Sequence, residues 1–336
     1  MMPGSNTVVM KFGGTSVADP DKIQRAAAIA VAARRRGRRV AVVVSAPGTM
    51  TDELLALAHR VSRRPGGREL DQLLATGEQV AIALFSMAVE SRGARTTSLT
   101  GAQAGIRVGG EPGRARILKI DASAVRRELA RGRIAVVAGF QGVNSRGETM
   151  TLGRGGSDLT AVALAAALEA ASCEIYTDVK GVYTADPRIV SEARKISRVG
   201  FSEMLELAAA GAQVMQPRSI ELAKRRGVRI HVRSAFHPGP GTWIVPSGEA
   251  RGGRGVAALA LGKNGARSAV RIAAVGSGLS RRRWARDLMK RTLVARKIAA
   301  RFGVGTDRFV WCSLQAAKGE AALRHLHRAF GLEQGK

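Results

Sequence analysis

The sequence predicts an α/β protein, a three-layer α/β/α sandwich around a mostly parallel sheet, followed by a small α+β module. Three observations predict it. Short runs rich in Val and Ile, bounded by Gly or polar residues, have the composition of strands buried on both faces. Longer amphipathic stretches separate them, and strand alternating with helix favours a parallel sheet covered on both sides. Finally, the texture changes around residues 245–263, where V-P-S-G-E-A-R-G-G-R-G has the composition of a linker.

The expected strands are Thr7–Lys11, Val40–Ser45, Thr96–Leu99, Ile134–Phe140, Cys173–Thr177 and Val228–Val232. Asp19 caps the first helix with Pro20 at its first position, and Ile23, Ala26, Ala27 and Ala30 form its apolar stripe. Further helices are expected over Thr51–Arg63, Gln72–Arg92, Ala122–Arg131, Asp158–Ala171, Phe201–Ala210 and Arg218–Arg226. Beyond the linker come the strand-like A-V-R-I-A-A-V, a long basic helical stretch, the strand-like R-F-V-W-C-S-L, and a helix from Glu320 to Phe330. The expected domains are residues 1–247 and 251–336. Functional loops of such a sheet belong at the carboxyl ends of its strands.

Composition narrows the function. The chain has 336 residues, enough for one large α/β domain and a smaller module. Apolar residues make up 45% and aromatics only 4%, so Ala, Val, Leu and Ile must fill the core. The formal charge of +28 favours anionic partners. The basic residues are scattered with few aromatic neighbours, so stacking platforms for bases are not evident and nucleic acid is not an expected partner. Two distant cysteines, Cys173 and Cys312, make neither a disulfide framework nor a metal site. The start lacks a leader pattern and no apolar run is expected to span a bilayer, so a cytoplasmic location is expected.

Three loops carry candidate chemistry. K-F-G-G-T-S-V follows the first strand; Gly13 and Gly14 let backbone N–H groups approach a phosphate, and Lys11 supplies a point charge. It is not a Walker loop, because no G-K-[ST] follows. In T-L-G-R-G-G-S-D-L-T, three glycines precede Ser157 and Asp158 at a helix start, whose positive end points into the loop. Arg154 there suits a paired grip on a carboxylate. In I-Y-T-D-V-K-G-V-Y-T-A-D-P-R, Thr177 and Asp178 end a strand, and Tyr183 and Arg188 follow in a turn-rich loop. Ser45 and Thr51 flank a Pro-Gly turn, and Glu78 opens an apolar helix stretch. Taken singly, capping or turn roles account for each of these.

Taken together, K-F-G-G-T-S-V, S-A-P-G with T-D-E-L-L, G-E, G-F-Q-G, L-G-R-G-G-S-D-L-T-A and Y-T-D-V-K-G-V-Y-T-A-D-P-R resemble the motifs of aspartate kinases of the amino-acid kinase family. Order and spacing match over roughly Val8 to Ile244. The resemblance implies ATP as phosphoryl donor, with Mg2+ carried by the nucleotide, and L-aspartate as acceptor, in the first step toward lysine, threonine, methionine and diaminopimelate. It places Lys11, Gly13, Gly14, Thr177, Asp178, Tyr183 and Arg188 at ATP. It places Ser45, Thr51, Glu78, Arg154 and Ser157 at aspartate, with Glu78 toward the ammonium. Lys11 is implied as the catalytic lysine, organised by Asp158.

There are two departures. Gln213 and Gln216 stand where the family usually has lysine and histidine; Arg218 and Lys224 are the nearby cations that could compensate. A catalytically impaired kinase fold kept for binding or regulation is the alternative that Gln213 raises. Secondly, the family usually ends in two ACT regulatory modules that form a homodimer, whereas about one module's length follows the linker here, shortened and divergent. Ser280-Arg281-Arg282-Arg283 replaces the usual Pro-Gly turn.

Overall fold

The structure is a computed structural model that describes residues 5–212, 214–250, 255–264, 266–279, 283–306 and 308–334. Gln213, and Ser280 to Arg282 of the divergent turn, lie outside the described residues. The chain divides into two compact units: Met1–Lys180 with Leu222–Gly239, and Gly181–Glu221 with Pro240–Lys336.

In chain order the first unit contains β1 (Thr7–Phe12), α1 (Pro20–Arg35), β2 (Arg39–Val44), α2 (Met50–Val61), α3 (Gly67–Glu90), β3 (Thr96–Leu99), β4 (Ile106–Gly109) and β5 (Arg116–Ile120). Then come α4 (Ser123–Ala130), β6 (Ile134–Ala138), β7 (Gln141–Val143), β8 (Thr149–Thr151), α5 (Gly156–Ala167), β9 (Ser172–Thr177) and a strand over Ile230–Ser234. The main sheet of this unit runs Ile230–Ser234, β9, β1, β2, β6, β3, with every one of these neighbours parallel. Helices α1 and α3 pack on each other and on one face, while α4 and α5 contact strands of the same sheet. The predicted α/β/α sandwich is therefore present.

Local chemistry explains the elements. The Asp19 side chain accepts the Lys22 backbone N–H at 2.9 Å, and Pro20 opens α1, as expected for a capped start. Strand β2 is Val-rich and buried from Val40 to Val44. Val8, Met10, Phe12, Val42, Val44 and Val136 meet Ile23, Ala27, Ala30, Ile82 and Phe85 in one core. Small alanines bring α1 close to the strands, which explains how a chain poor in aromatics fills its interior.

Helix α3 (Gly67–Glu90) is the longest helix among the described residues. Its 24 residues are long and apolar enough by length and composition to cross a bilayer. Its buried side holds Ala75, Ala81, Ile82, Phe85 and Val89 together with the acidic Asp71 and Glu78, the pattern of a core helix. A second sheet, ordered β5, β4, β7, β8, was not foreseen; its strands are three to five residues long.

In the second unit Arg198–Gly200 pairs in parallel with Thr242–Val245. Its C-terminal part is a four-stranded antiparallel sheet ordered Val256–Asn264, Ala266–Gly276, Phe309–Gln315, Arg301–Val304. Helices Trp284–Ala295 and Gly319–Ala329 pack on it through Met289, Leu293, Leu323 and Leu326. This is the expected α+β module, with Val256–Asn264 and Arg301–Val304 as additional strands.

Candidate active site

The carboxyl ends of β1, β2, β6 and β9 gather most of the predicted residues of the first unit. Lys11 is the fifth residue of β1, and its Nζ lies 2.7 Å from Oδ1 of Asp158. Both side chains are largely buried, at 13% and 11% exposure, so water screens the pair weakly. Asp158 sits in the first turn of α5, where the helix's positive end also favours its charge. A Cβ on Gly13 would lie 3.3 Å from Lys11 Nζ, which places the lysine's charge directly against the glycine loop.

Gly14 cannot be replaced without displacing backbone. A Cβ there would sit 2.8 Å from the Ala46 carbonyl oxygen, and Gly14's own carbonyl accepts the Gly48 N–H at 3.0 Å. The loop after β1 is thus locked to the S-A-P-G turn after β2. That turn is locked in turn to α3, because the Ala46 N–H donates to Glu78 Oε1 at 2.9 Å. Ser45 lies at the start of the turn, its N–H donating to the Phe12 carbonyl, and Thr51 lies in the first turn of α2. The structure therefore brings Lys11, Gly13, Gly14, Ser45 and Glu78 into one connected set.

Glu78 is buried, and its Oε2 has no hydrogen-bond partner among the described residues. Burial pushes its carboxyl up to about 7, against the lowering effect of the Ala46 N–H. A buried acceptor with no donor is the arrangement a cationic ligand group would complete.

The glycine loop before α5 is built on two left-handed residues, Gly153 (φ 73°) and Gly155 (φ 72°). They leave Arg154 exposed and bury Ser157. Phe140, after β6, also adopts φ 66°, a costly conformation for a residue with a side chain. Its carbonyl accepts the Leu152 N–H at 2.8 Å, and a Cβ on Gly139 would meet Ser157 at 2.7 Å. G-F-Q-G is thus the seat for the second glycine loop.

Asp71 was missed from sequence. It is buried on α3; its Oδ2 accepts the N–H groups of Gly113 and Thr151, both at 2.9 Å, and its Oδ1 accepts the Thr151 hydroxyl at 2.6 Å. Thr151 opens the Gly153–Ser157 loop, so Asp71 braces it. The available signal was an acidic residue in phase with the helix's buried stripe of Ala75, Glu78, Ile82 and Phe85.

Thr177 ends β9, with its hydroxyl donating to Asp178 at 3.0 Å and its carbonyl accepting the Ala235 N–H. Tyr183 and Arg188 belong to the second unit. There Tyr183 forms an isolated bridge with Lys195, and Arg188 folds onto Asp186, with Nη2 2.7 Å from Oδ2. The guanidinium holds the Asp186 carboxyl below the usual carboxylate range. Gln216 precedes Pro217–Arg226, and its carbonyl accepts from Ser219. Arg218 and Lys224 both have interaction partners. Among the described residues, no group of three or more His, Cys, Asp or Glu side chains could hold a metal.

The sequence profile of the amino acid kinase family matches residues 6–234. Aspartokinase 2 of Bacillus subtilis is 54% identical over 237 residues, and the aspartokinase of Thermus thermophilus is 53% identical over the same length. Each alignment covers 70% of this chain and 58% of the relative, so the chain spans somewhat over half the length of these relatives. Among solved structures, Synechocystis aspartate kinase is 30% identical with a TM-score of 0.65, covering 98% of this chain and 70% of that one. E. coli aspartokinase III in complex with aspartate and ADP gives a TM-score of 0.81 at 23% identity, covering 97% of this chain and 100% of that one, a likeness of fold.

Proposed function

Because the chain belongs to the amino acid kinase family, we propose that it transfers the γ-phosphoryl group of ATP to the side-chain carboxylate of L-aspartate, giving 4-phospho-L-aspartate and ADP. The observation that carries this reading is the Lys11–Asp158 pair, which links the strand before the Gly13–Gly14 loop to the first turn of α5 after the second glycine loop. The aspartokinase names of relatives more than 50% identical support the choice of acceptor.

In this reading Lys11 and the N–H groups around Gly13 and Gly14 hold the phosphates, and Asp158 fixes the direction of Lys11. Arg154 and Ser157 bind a carboxylate of the acceptor, Ser45 and Thr51 contribute hydroxyls, and Glu78 takes the ammonium. Thr177, Asp178, Tyr183 and Arg188 line the nucleotide, which brings its own Mg2+. A carboxylate oxygen of aspartate attacks the γ-phosphorus, and the bond to the bridging oxygen breaks with its electrons leaving on ADP. The nucleophile is already ionised at neutral pH, since an ordinary Asp carboxyl titrates near about 4. No general base is required, and catalysis rests on positioning and neutralisation of phosphate charge.

The proposed catalytic part is residues 1–247, and residues 251–336 serve as a divergent regulatory or homodimerising module. A cytoplasmic setting follows from the two substrates. Gln213 favours a second reading, a kinase fold with impaired turnover. Measuring ADP release with Mg-ATP and aspartate, glutamate, acetylglutamate or uridylate separates the readings. Aspartate-dependent release supports the proposal, release with another acceptor reassigns the substrate, and silence with all four favours the impaired kinase.

A further inference from the structure

A cavity of about 600 Å3 opens on the main sheet of the first unit, and its lining contains none of the residues assigned above to phosphoryl transfer. Its floor is Glu174 and Tyr176 of β9 with Arg233 of the neighbouring strand; one wall is α1 and the other is the segment around Phe236. Four guanidinium groups line it, those of Arg25, Arg36, Arg38 and Arg233, against a single carboxylate, Glu174.

That carboxylate is already committed. Glu174 Oε2 accepts the Tyr176 hydroxyl at 2.7 Å and lies 3.3 Å from Arg233 Nη1. Arg233 Nη1 also reaches the Tyr176 hydroxyl at 3.2 Å. The other cations have weaker engagements. Arg25 lies over the Phe236 ring at 5.8 Å, Arg36 Nε donates to its own helix at the Ala32 carbonyl, and Arg38 Nε is buried with no partner among the described residues. A concave surface with several cations and one neutralised anion focuses positive potential. Guanidinium forks match carboxylate and phosphoryl oxygens, and the apolar lining from Met10, Ile29 and Phe236 suits a hydrocarbon or ring body. The volume is that of an ordinary small-molecule site.

We propose that this cavity between α1 and β9 is a second ligand site, taking a small organic anion with a phosphoryl or carboxylate group on an apolar body. The floor connects to the glycine loop. The Tyr176 ring stacks on Phe12 with centroids 4.7 Å apart, and the Tyr176 carbonyl accepts the Gly13 N–H at 3.3 Å. An occupant touching Tyr176 therefore bears on the loop beside Lys11.

The test is calorimetric titration of the full chain with phenyl phosphate and, separately, benzoate. Two variants accompany the wild type: the Arg25→Gln/Arg38→Gln double substitution, and Ala32→Leu, which narrows the cavity without altering charge. The expected result is saturable binding of at least one anion that both variants weaken about tenfold or more, the loss of paired guanidinium contacts or of space, with ADP binding unchanged. Phenyl phosphate alone binding assigns a phosphoryl ligand, and benzoate alone assigns a carboxylate. Absence of saturable binding to the wild type, or equal binding by wild type and Ala32→Leu, overturns the proposal.

Discussion

At the scale of single residues, Lys11 and Glu78 make the sharpest statements. Lys11→Ala removes a desolvated cation from beside the Gly13–Gly14 loop proposed to hold the phosphates. Loss of comparable charge stabilisation costs about 2–4 kcal/mol of barrier, or roughly 10²–10³ in kcat. It also leaves Asp158 without its partner, although the first turn of α5 offsets part of that charge. A folded protein with a Tm lowered by a few degrees and kcat lowered by that factor is expected; near-wild-type turnover contradicts the role. Glu78 makes a statement about pH. Its carboxyl titrates at about 7 in the folded chain against an ordinary value of 4.5. Between those values the folded protein keeps a proton that the unfolded chain has released, so stability falls as pH rises through this window and levels off above 7. Glu78→Gln removes that loss, so its stability relative to wild type should climb by up to roughly 3 kcal/mol from pH 4.5 to above 7. The same ionisation supplies the partner for an ammonium. The KM for aspartate should therefore fall as pH rises from about 6 to 8, and Glu78→Gln should abolish that dependence. Arg154→Lys should raise the KM for aspartate more than that for ATP, because an ammonium cannot form paired bonds to a carboxylate; if only the ATP constant moves, Arg154 belongs to the nucleotide.

At the scale of elements, the site is a set of loops that hold one another. Asp71 on α3 is the brace for the loop that opens α5. Asp71→Ala strands three donors, two of them backbone N–H groups, at about 1–3 kcal/mol for each one left buried. It should lower both Tm and kcat, and Asp71→Asn should restore part of both, since its amide oxygen still accepts. Thermal melts beside steady-state kinetics check this; an unchanged kcat in a destabilised Asp71→Ala protein would make the brace purely structural. These elements also show what was legible in the sequence. Thr96–Leu99 falls where its composition places it, and α1 begins at its Asp-Pro signal, because buried parallel strands and capped helices are encoded locally. The β4, β5, β7, β8 sheet was hidden because its strands are short and their pairings join distant segments. Val256–Asn264 was hidden because Ala and Gly carry little strand preference. In the site, glycines, Lys11 and Arg154 were visible as loop chemistry. Asp71 showed only its place in the buried stripe of α3, not its role, because a brace is defined by its partners, and the left-handed Phe140 showed nothing, because a strained φ leaves no mark on composition.

At the scale of the whole chain, two compact units carry a formal charge of +28, and the aspartokinase relatives extend well beyond the matched segment. Among its described residues the second unit holds a four-stranded antiparallel sheet on which helices Trp284–Ala295 and Gly319–Ala329 pack. The module proposed for residues 251–336 carries Ser280-Arg281-Arg282-Arg283 where aspartate kinases usually have a Pro-Gly turn, and like charges there oppose a lysine ammonium. Without differential binding to two conformations, no ligand shifts activity. Turnover at saturating lysine, threonine or both should stay close to the uninhibited rate, and strong cooperative inhibition by either would show a working regulatory module. Light scattering should give the mass of a dimer, and a monomer would remove the assembly role proposed for residues 251–336. The central claim concerns the product itself. Incubation of the full chain with Mg-ATP and L-aspartate, trapped with hydroxylamine and analysed by mass spectrometry, should yield aspartyl β-hydroxamate in proportion to the ADP formed, with at least a hundredfold or so less from Lys11→Ala. ADP formation without any hydroxamate, or equal hydroxamate from wild type and Lys11→Ala, would contradict phosphoryl transfer to the aspartate side chain at this site.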